Sequence, residues 1–125
     1  YDHREVALRI PRSTEHNRRI EHRVAGAEAN PYLVLAAVLA GIHYGLQTAI
    51  DPGEPVPRDA DLSEDETTLP TRVDKAIELF AGSEILPGYF GKEFARIYTA
   101  IRQGESNAYH AGVPDLDYAW YLRAL

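Results

Sequence analysis

The stretch Arg18-Arg19-Ile20-Glu21-His22-Arg23, followed shortly by Asn30-Pro31-Tyr32-Leu33, decides how the chain is read. If it is extended, period two places Arg19, Glu21 and Arg23 on one face and Ile20, His22 and Val24 on the other. One carboxylate then sits between two guanidiniums on a single ribbon. A carboxylate can hold a hard cation, and flanking arginines can hold phosphate or carboxylate oxygens bidentately. That set of groups suits chemistry on a metal-bound nucleotide. Taken alone, the triplet reads better as a solvated cross-strand salt-bridge face.

Outward from this ribbon, residues 5–11 form the expected first strand, with Val6, Leu8 and Ile10 alternating against Ala7 and Arg9. Residues 11–17 are a polar connection and residues 18–25 the second strand. Asn30 supplies an N-cap oxygen and Pro31 a preset φ at the first helical position. From there to about Ile50 the pattern is apolar on nearly every face, which predicts a buried helix. Ala37, Gly41 and Gly45 form a flat stripe on it where another backbone can approach.

Residues 51–70 hold four of the eight prolines and a run of acids, the mark of an exposed loop. A helix is expected after Thr71, with Asp74 in a capping-box-like position and Val73, Ala76, Ile77 and Phe80 as its stripe. Ser83 to Leu86 reads as a short turn stopped by Pro87. The next helix runs from Lys92 to Gln103 with Phe94, Ile97, Tyr98 and Ile101 inward, closed by Gly104. Asp115 then caps a last helix carrying Tyr118, Tyr121, Leu122 and Leu125. The expected fold class is α+β: two antiparallel strands, a long buried helix and three to four further helices. Two strands cannot cover such a helix, so further strands are expected from sequence beyond these residues or from another subunit.

A net charge of −6 argues against a general nucleic-acid binder. The positive charge is instead gathered at Arg4, Arg9, Arg12, Arg18, Arg19 and Arg23. The absence of cysteine excludes disulfides and thiolate metal sites and fits a cytoplasmic setting. The longest apolar run, residues 31–42, is shorter than the roughly 20 residues a membrane span needs. The chain opens on Tyr1 without an initiator methionine, as a piece of a longer protein would.

Arg4 with Ala7-Leu8-Arg9-Ile10-Pro11, then Arg19-Ile20-Glu21-His22-Arg23, then Ala29-Asn30-Pro31-Tyr32-Leu33 and an alanine-rich helix resembles the C-terminal part of the glutamine synthetase catalytic domain. The likeness spans essentially residues 1–125 and is most specific over the first 45. Glu21-His22-Arg23-Val24-Ala25-Gly26 with Asp115-Leu116-Asp117-Tyr118-Ala119-Trp120-Tyr121-Leu122 looks most like the γ-glutamylpolyamine (γ-glutamylputrescine) synthetase branch.

The resemblance implies an ATP-dependent ligase that joins an amine to the γ-carboxylate of glutamate through γ-glutamyl phosphate, with Mg²⁺ or Mn²⁺. By position, Glu21 resembles the ligand of the metal nearer the nucleotide phosphates and Arg19 an ATP contact. Arg23 resembles the anchor of the glutamate α-carboxylate, and Arg4 and Arg9 the arginines that neutralise the transferring phosphate. Such chemistry is mostly positioning plus charge neutralisation. With these motifs in order, the charged ribbon reads as an active-site strand.

Departures from the family pattern are a shorter connection over residues 12–17, His3 where asparagine is common, and Glu28 where aspartate is commoner. No tyrosine lies in residues 51–70, so control by adenylylation is not expected. His16, His22 and His43 are expected to be packed or hydrogen-bonded. His3 is the histidine best placed to approach the site, although a site role is not expected of it. The late tyrosines are expected in the core or a subunit interface. The resemblance further implies a ring-stacked homo-oligomer, a dodecamer, whose sites are shared between subunits, so residues 1–125 alone should be inactive. The acceptor is expected to be a polyamine or other primary amine. The alternatives are ammonia, as in glutamine synthetase itself, or a non-catalytic synthetase-like assembly module.

Overall fold

The computed structural model describes His3, residues 5–57 and residues 69–122. It divides into two units, residues 1–68 and residues 69–125, each considered by itself. Arg4, residues 58–68 of the expected loop and Leu125 lie outside the described residues.

In the first unit β1 (Leu8–Arg9) pairs antiparallel with β2 (Glu21–His22), Leu8 opposite His22 and Arg9 opposite Glu21. The Arg23 N–H donates to the Ala7 carbonyl at 3.0 Å and extends the pairing by one bond. The regular strands are thus shorter than the 5–11 and 18–25 expected, as befits a two-stranded ribbon with both outer edges unpaired. Within the polar connection, Glu15–Asn17 makes a single 3-10 turn.

Helix α1 (Pro31–Thr48) starts as the sequence requires. The Asn30 side-chain oxygen accepts from the amides of Tyr32 and Leu33 at 3.0 and 3.3 Å, and Pro31 occupies the first turn. Ala49, in the left-handed region at φ 51°, ends it, and the Ile50 N–H returns to the Gly45 carbonyl. Its apolar side chains are spread around the axis. Within these residues only Ala40 is buried, while Leu35, Leu39, Ile42 and Leu46 are exposed. A Cβ at Gly41 or Gly45 would meet nothing within 4 Å. The length and start of the helix are as expected; the cover for its apolar faces does not come from the described residues.

The second unit is helical, with α2 (Val73–Gly82), α3 (Ile85–Phe90), α4 (Lys92–Ala111) and α5 (Asp115–Tyr121). Both α2 and α3 pack on α4. Ile77 and Ala95 are buried at the centre, and Phe80 meets Tyr98 edge-on at 5.4 Å. Phe90, Phe94 and Tyr98 follow one another at 5.5 and 5.8 Å.

Four expectations are corrected here. Thr71 does not cap α2: Arg72 stands at the N-cap, and its guanidinium grips the Asp74 carboxylate at 2.7 and 3.2 Å. Pro87 does not stop a turn, because it lies in the first turn of α3, where a missing N–H costs nothing. Gly104 does not close α4, which runs seven residues further. Ion pairing of Arg102 with Glu105 and a hydrogen bond from Gln103 to Asn107 carry the helix past the glycine. The packed face of α4 is Ala95, Tyr98, Thr99 and Ser106, whereas Phe94, Ile97 and Ile101 are exposed. The small Ala95 side chain lets neighbouring helices come close on that side.

Gly91, at φ 89° and ψ 139°, is both the end of α3 and the start of α4. Its N–H donates to Pro87 and its carbonyl accepts from Ala95. A side chain is strained at that φ, so glycine is required. In α5, Asp115 is the first helical residue and Pro114 the cap, and Tyr118, Trp120 and Tyr121 are exposed rather than in a core. Among the described residues no helix is long and apolar enough to cross a membrane.

Candidate active site

The β1–β2 pairing gathers Arg9, Arg19, Glu21 and Arg23 together. Arg9 and Glu21 are direct cross-strand partners, and residues two apart on one strand share a face. Arg9 donates through Nη1 to Glu21 Oε2 at 3.0 Å, and Arg19 through Nη2 to Glu21 Oε1 at 3.2 Å. Arg23 Nη1 stands 3.8 Å from Oε2, an ion pair beyond hydrogen-bond reach. Glu21 is therefore ringed by three guanidiniums, one more than the ribbon alone implies. The strand register adds Arg9, which period two along a single strand cannot reveal.

The burial of this ribbon runs against its hydrophobicity. Leu8, Ile10, Ile20 and Val24 are 59, 44, 53 and 48 % exposed. On the charged face, the Arg9 and Glu21 side chains keep only 22 and 26 % of their surface. A partly covered charge needs partners, and here the charges supply one another. Burial pushes the Glu21 carboxyl up, but the hydrogen bond and charge of Arg9, and then those of Arg19, outweigh it and hold Glu21 below the usual carboxylate range.

Among the described residues, three guanidiniums meet one carboxylate, a formal excess of two positive charges within this group. The cluster is therefore suited to an anion with several oxygens, such as a phosphate chain or a substrate carboxylate. Toward a divalent cation it offers Glu21 alone. Among the described residues no group of three or more His, Asp or Glu side chains could hold a metal. Mg²⁺ commonly takes one or two carboxylates and completes its shell with phosphate and water, and a single glutamate fits that limited share.

Of the other candidates, His22 and His16 are exposed, the latter on the 3-10 turn, and His43 is exposed on α1 without lacking a partner. His3 is buried, and its Nδ1 accepts from the Glu5 amide at 3.1 Å, so the proton of the neutral ring sits on Nε2. In the helical unit an open groove of about 760 Å³ is lined by Phe80, Ser83, Pro87, Lys92 and Thr99. Glu84 and Arg96 also border it, but Arg96 is paired with Glu93, and among the described residues no group of three His, Asp or Glu could hold a metal there.

Residues 1–121 match the glutamine synthetase catalytic domain, and the chain belongs to that family. It is 37 % identical over 123 residues to the γ-glutamylputrescine synthetase of Escherichia coli, covering 98 % of this chain and 26 % of that protein. A γ-glutamylethanolamide synthetase of Streptomyces coelicolor is 33 % identical over 125 residues, with 98 % of this chain and 25 % of that protein covered. A glutamate–isopropylamine ligase of a Pseudomonas species is 31 % identical over 124 residues, with 98 % and 27 % covered. The chain thus spans about a quarter of the length of the curated relatives it matches. No solved structure matches it.

Proposed function

We propose that this chain forms one wall of the active site of an ATP-dependent glutamate–amine ligase that takes a polyamine or another primary amine. The observation that carries this reading is the contact of Glu21 with Arg9, Arg19 and Arg23 across one strand pair. In this reading Arg19 binds the ATP phosphates and Arg23 the glutamate α-carboxylate. Arg9 and Arg4 neutralise the phosphoryl group as it passes to the glutamate γ-carboxylate. Glu21 is the protein's ligand to a Mg²⁺ or Mn²⁺ ion, which supplies charge neutralisation on the nucleotide when bound. The amine then displaces phosphate.

Phosphoryl transfer depends on cations fixed where oxygen charge develops, and a rigid ribbon with three guanidiniums on one face meets that need. The choice of amine is supported by the relatives named for putrescine, ethanolamide and isopropylamine products. A ring-stacked homo-oligomer in the cytoplasm is part of the same proposal, with the exposed Tyr118, Trp120 and Tyr121 as subunit contacts. Residues 1–125 alone should show no turnover, because one wall does not hold both substrates. ADP release by the full-length protein, compared with putrescine and with ammonium, tests the reading. Strong preference for ammonium would replace the amine ligase by glutamine synthetase, and no ADP release with either would leave an assembly module.

A further inference from the structure

Glu21 spends both carboxylate oxygens on arginines, Oε1 on Arg19 and Oε2 on Arg9 and Arg23. The groups suited to an incoming anion are thus already engaged with an anion of the chain's own. A phosphate chain that enters must detach Glu21 from each guanidinium it takes. A divalent cation bound to Glu21 draws on the same oxygen lone pairs and weakens their hold on the arginines. We propose that Glu21 is a built-in counter-ion that makes polyphosphate binding by Arg9 and Arg19 conditional on a divalent cation.

This inference rests on the reading of the ribbon as a nucleotide-binding wall and adds a specificity role for Glu21 beyond that of ligand. The geometry grades the effect. Arg9 is held at 3.0 Å between side chains that are both largely covered, where pairing is screened less than at an open surface. Arg19 is held at 3.2 Å but is more than half exposed. Arg23, at 3.8 Å, is the most distant of the three from Glu21, so Glu21 itself should limit it least.

Binding of inorganic tripolyphosphate to the full chain in the presence of a chelator tests this by calorimetry. Glu21→Gln and Glu21→Ala should each bind metal-free tripolyphosphate at least about tenfold tighter than the parent, since a competing charge-assisted contact is removed. Loss of a nearby negative charge alone predicts a smaller gain that rising salt screens away. In the unmodified chain, Mg²⁺ without any anion should speed the modification of Arg9 by phenylglyoxal, read by mass spectrometry. That arm stands even if both variants misfold. If neither variant gains affinity, or if Mg²⁺ leaves Arg9 reactivity unchanged, the counter-ion role is overturned while binding of Mg-ATP by the unmodified chain keeps the ligase reading. If the unmodified chain also fails to bind Mg-ATP, both readings fall.

Discussion

Arg9 and Glu21 face each other across the β1–β2 ribbon, and their side chains close to 3.0 Å on its better-covered face. The pair joins two segments twelve residues apart and fixes a guanidinium beside the carboxylate that Arg19 and Arg23 also approach. On the proposed reading the pair places Arg9 at the site, and release from Glu21 is what would let it take developing oxygen charge.

The three arginines should therefore fail differently in steady-state kinetics of the full-length enzyme that the proposed reading implies. Arg9→Ala should lower kcat by about 10²-fold, the usual loss when one donor to developing oxygen charge is removed. Arg19→Ala should act mainly on KM for ATP, and Arg23→Ala on KM for glutamate. Equal effects of all three on a single constant would contradict the separate roles.

The start of α1 rests on one side chain. Asn30→Ala removes the oxygen that accepts from Tyr32 and Leu33 and should cost about 1 kcal/mol in denaturant unfolding. Asn30→Asp keeps an acceptor and should cost clearly less.

Two glycines should respond with opposite signs. Gly91→Ala forces a side chain into φ 89° and should destabilise by about 1–3 kcal/mol. Gly104→Ala lies inside α4, where a Cβ would meet nothing within 4 Å. It should stabilise by up to about 1 kcal/mol. Thermal unfolding of the two variants beside the parent measures both.

Acid should loosen the ribbon and the helical unit together. Arg9 and Arg19 hold Glu21 low against the opposing push of burial, Arg72 holds Asp74 low, and Arg96 holds Glu93 low. A carboxylate depressed in the folded state binds fewer protons than in the unfolded state, so stability rises with pH across its titration. The contribution is in place above the unfolded carboxylate values of about 4 and is lost as pH falls through the lower folded ones. Unfolding free energy measured from neutral pH downward should decline through that window. In Glu21→Gln the decline should be shallower.

What could be read from residues alone was what depends on near neighbours. The Asn30–Pro31 start of α1 needs only the amides two and three residues on. The alternation that puts Arg19, Glu21 and Arg23 on one face needs only extended backbone. What escaped depends on the third dimension. The meeting of Arg9 with Glu21 requires the strand register. The inward face of α4 is set by α2 and α3 lying over Ala95 and Tyr98, so hydrophobicity alone pointed to Phe94 and Ile97. Gly104 looked like a stop because glycine can end a helix, yet only its surroundings decide whether it does. The face of Leu8 and Ile20 remained exposed although it is the apolar one, because coverage follows the elements at hand rather than composition.

Gly91 has a consequence for chain length. A single residue closes α3 and opens α4, so the angular phase between them is set by one pair of dihedrals. One inserted residue would add a second pair of dihedrals at the junction and release the alignment of Phe90 with Phe94. Substitution at this junction is graded in its effect; insertion is all-or-none.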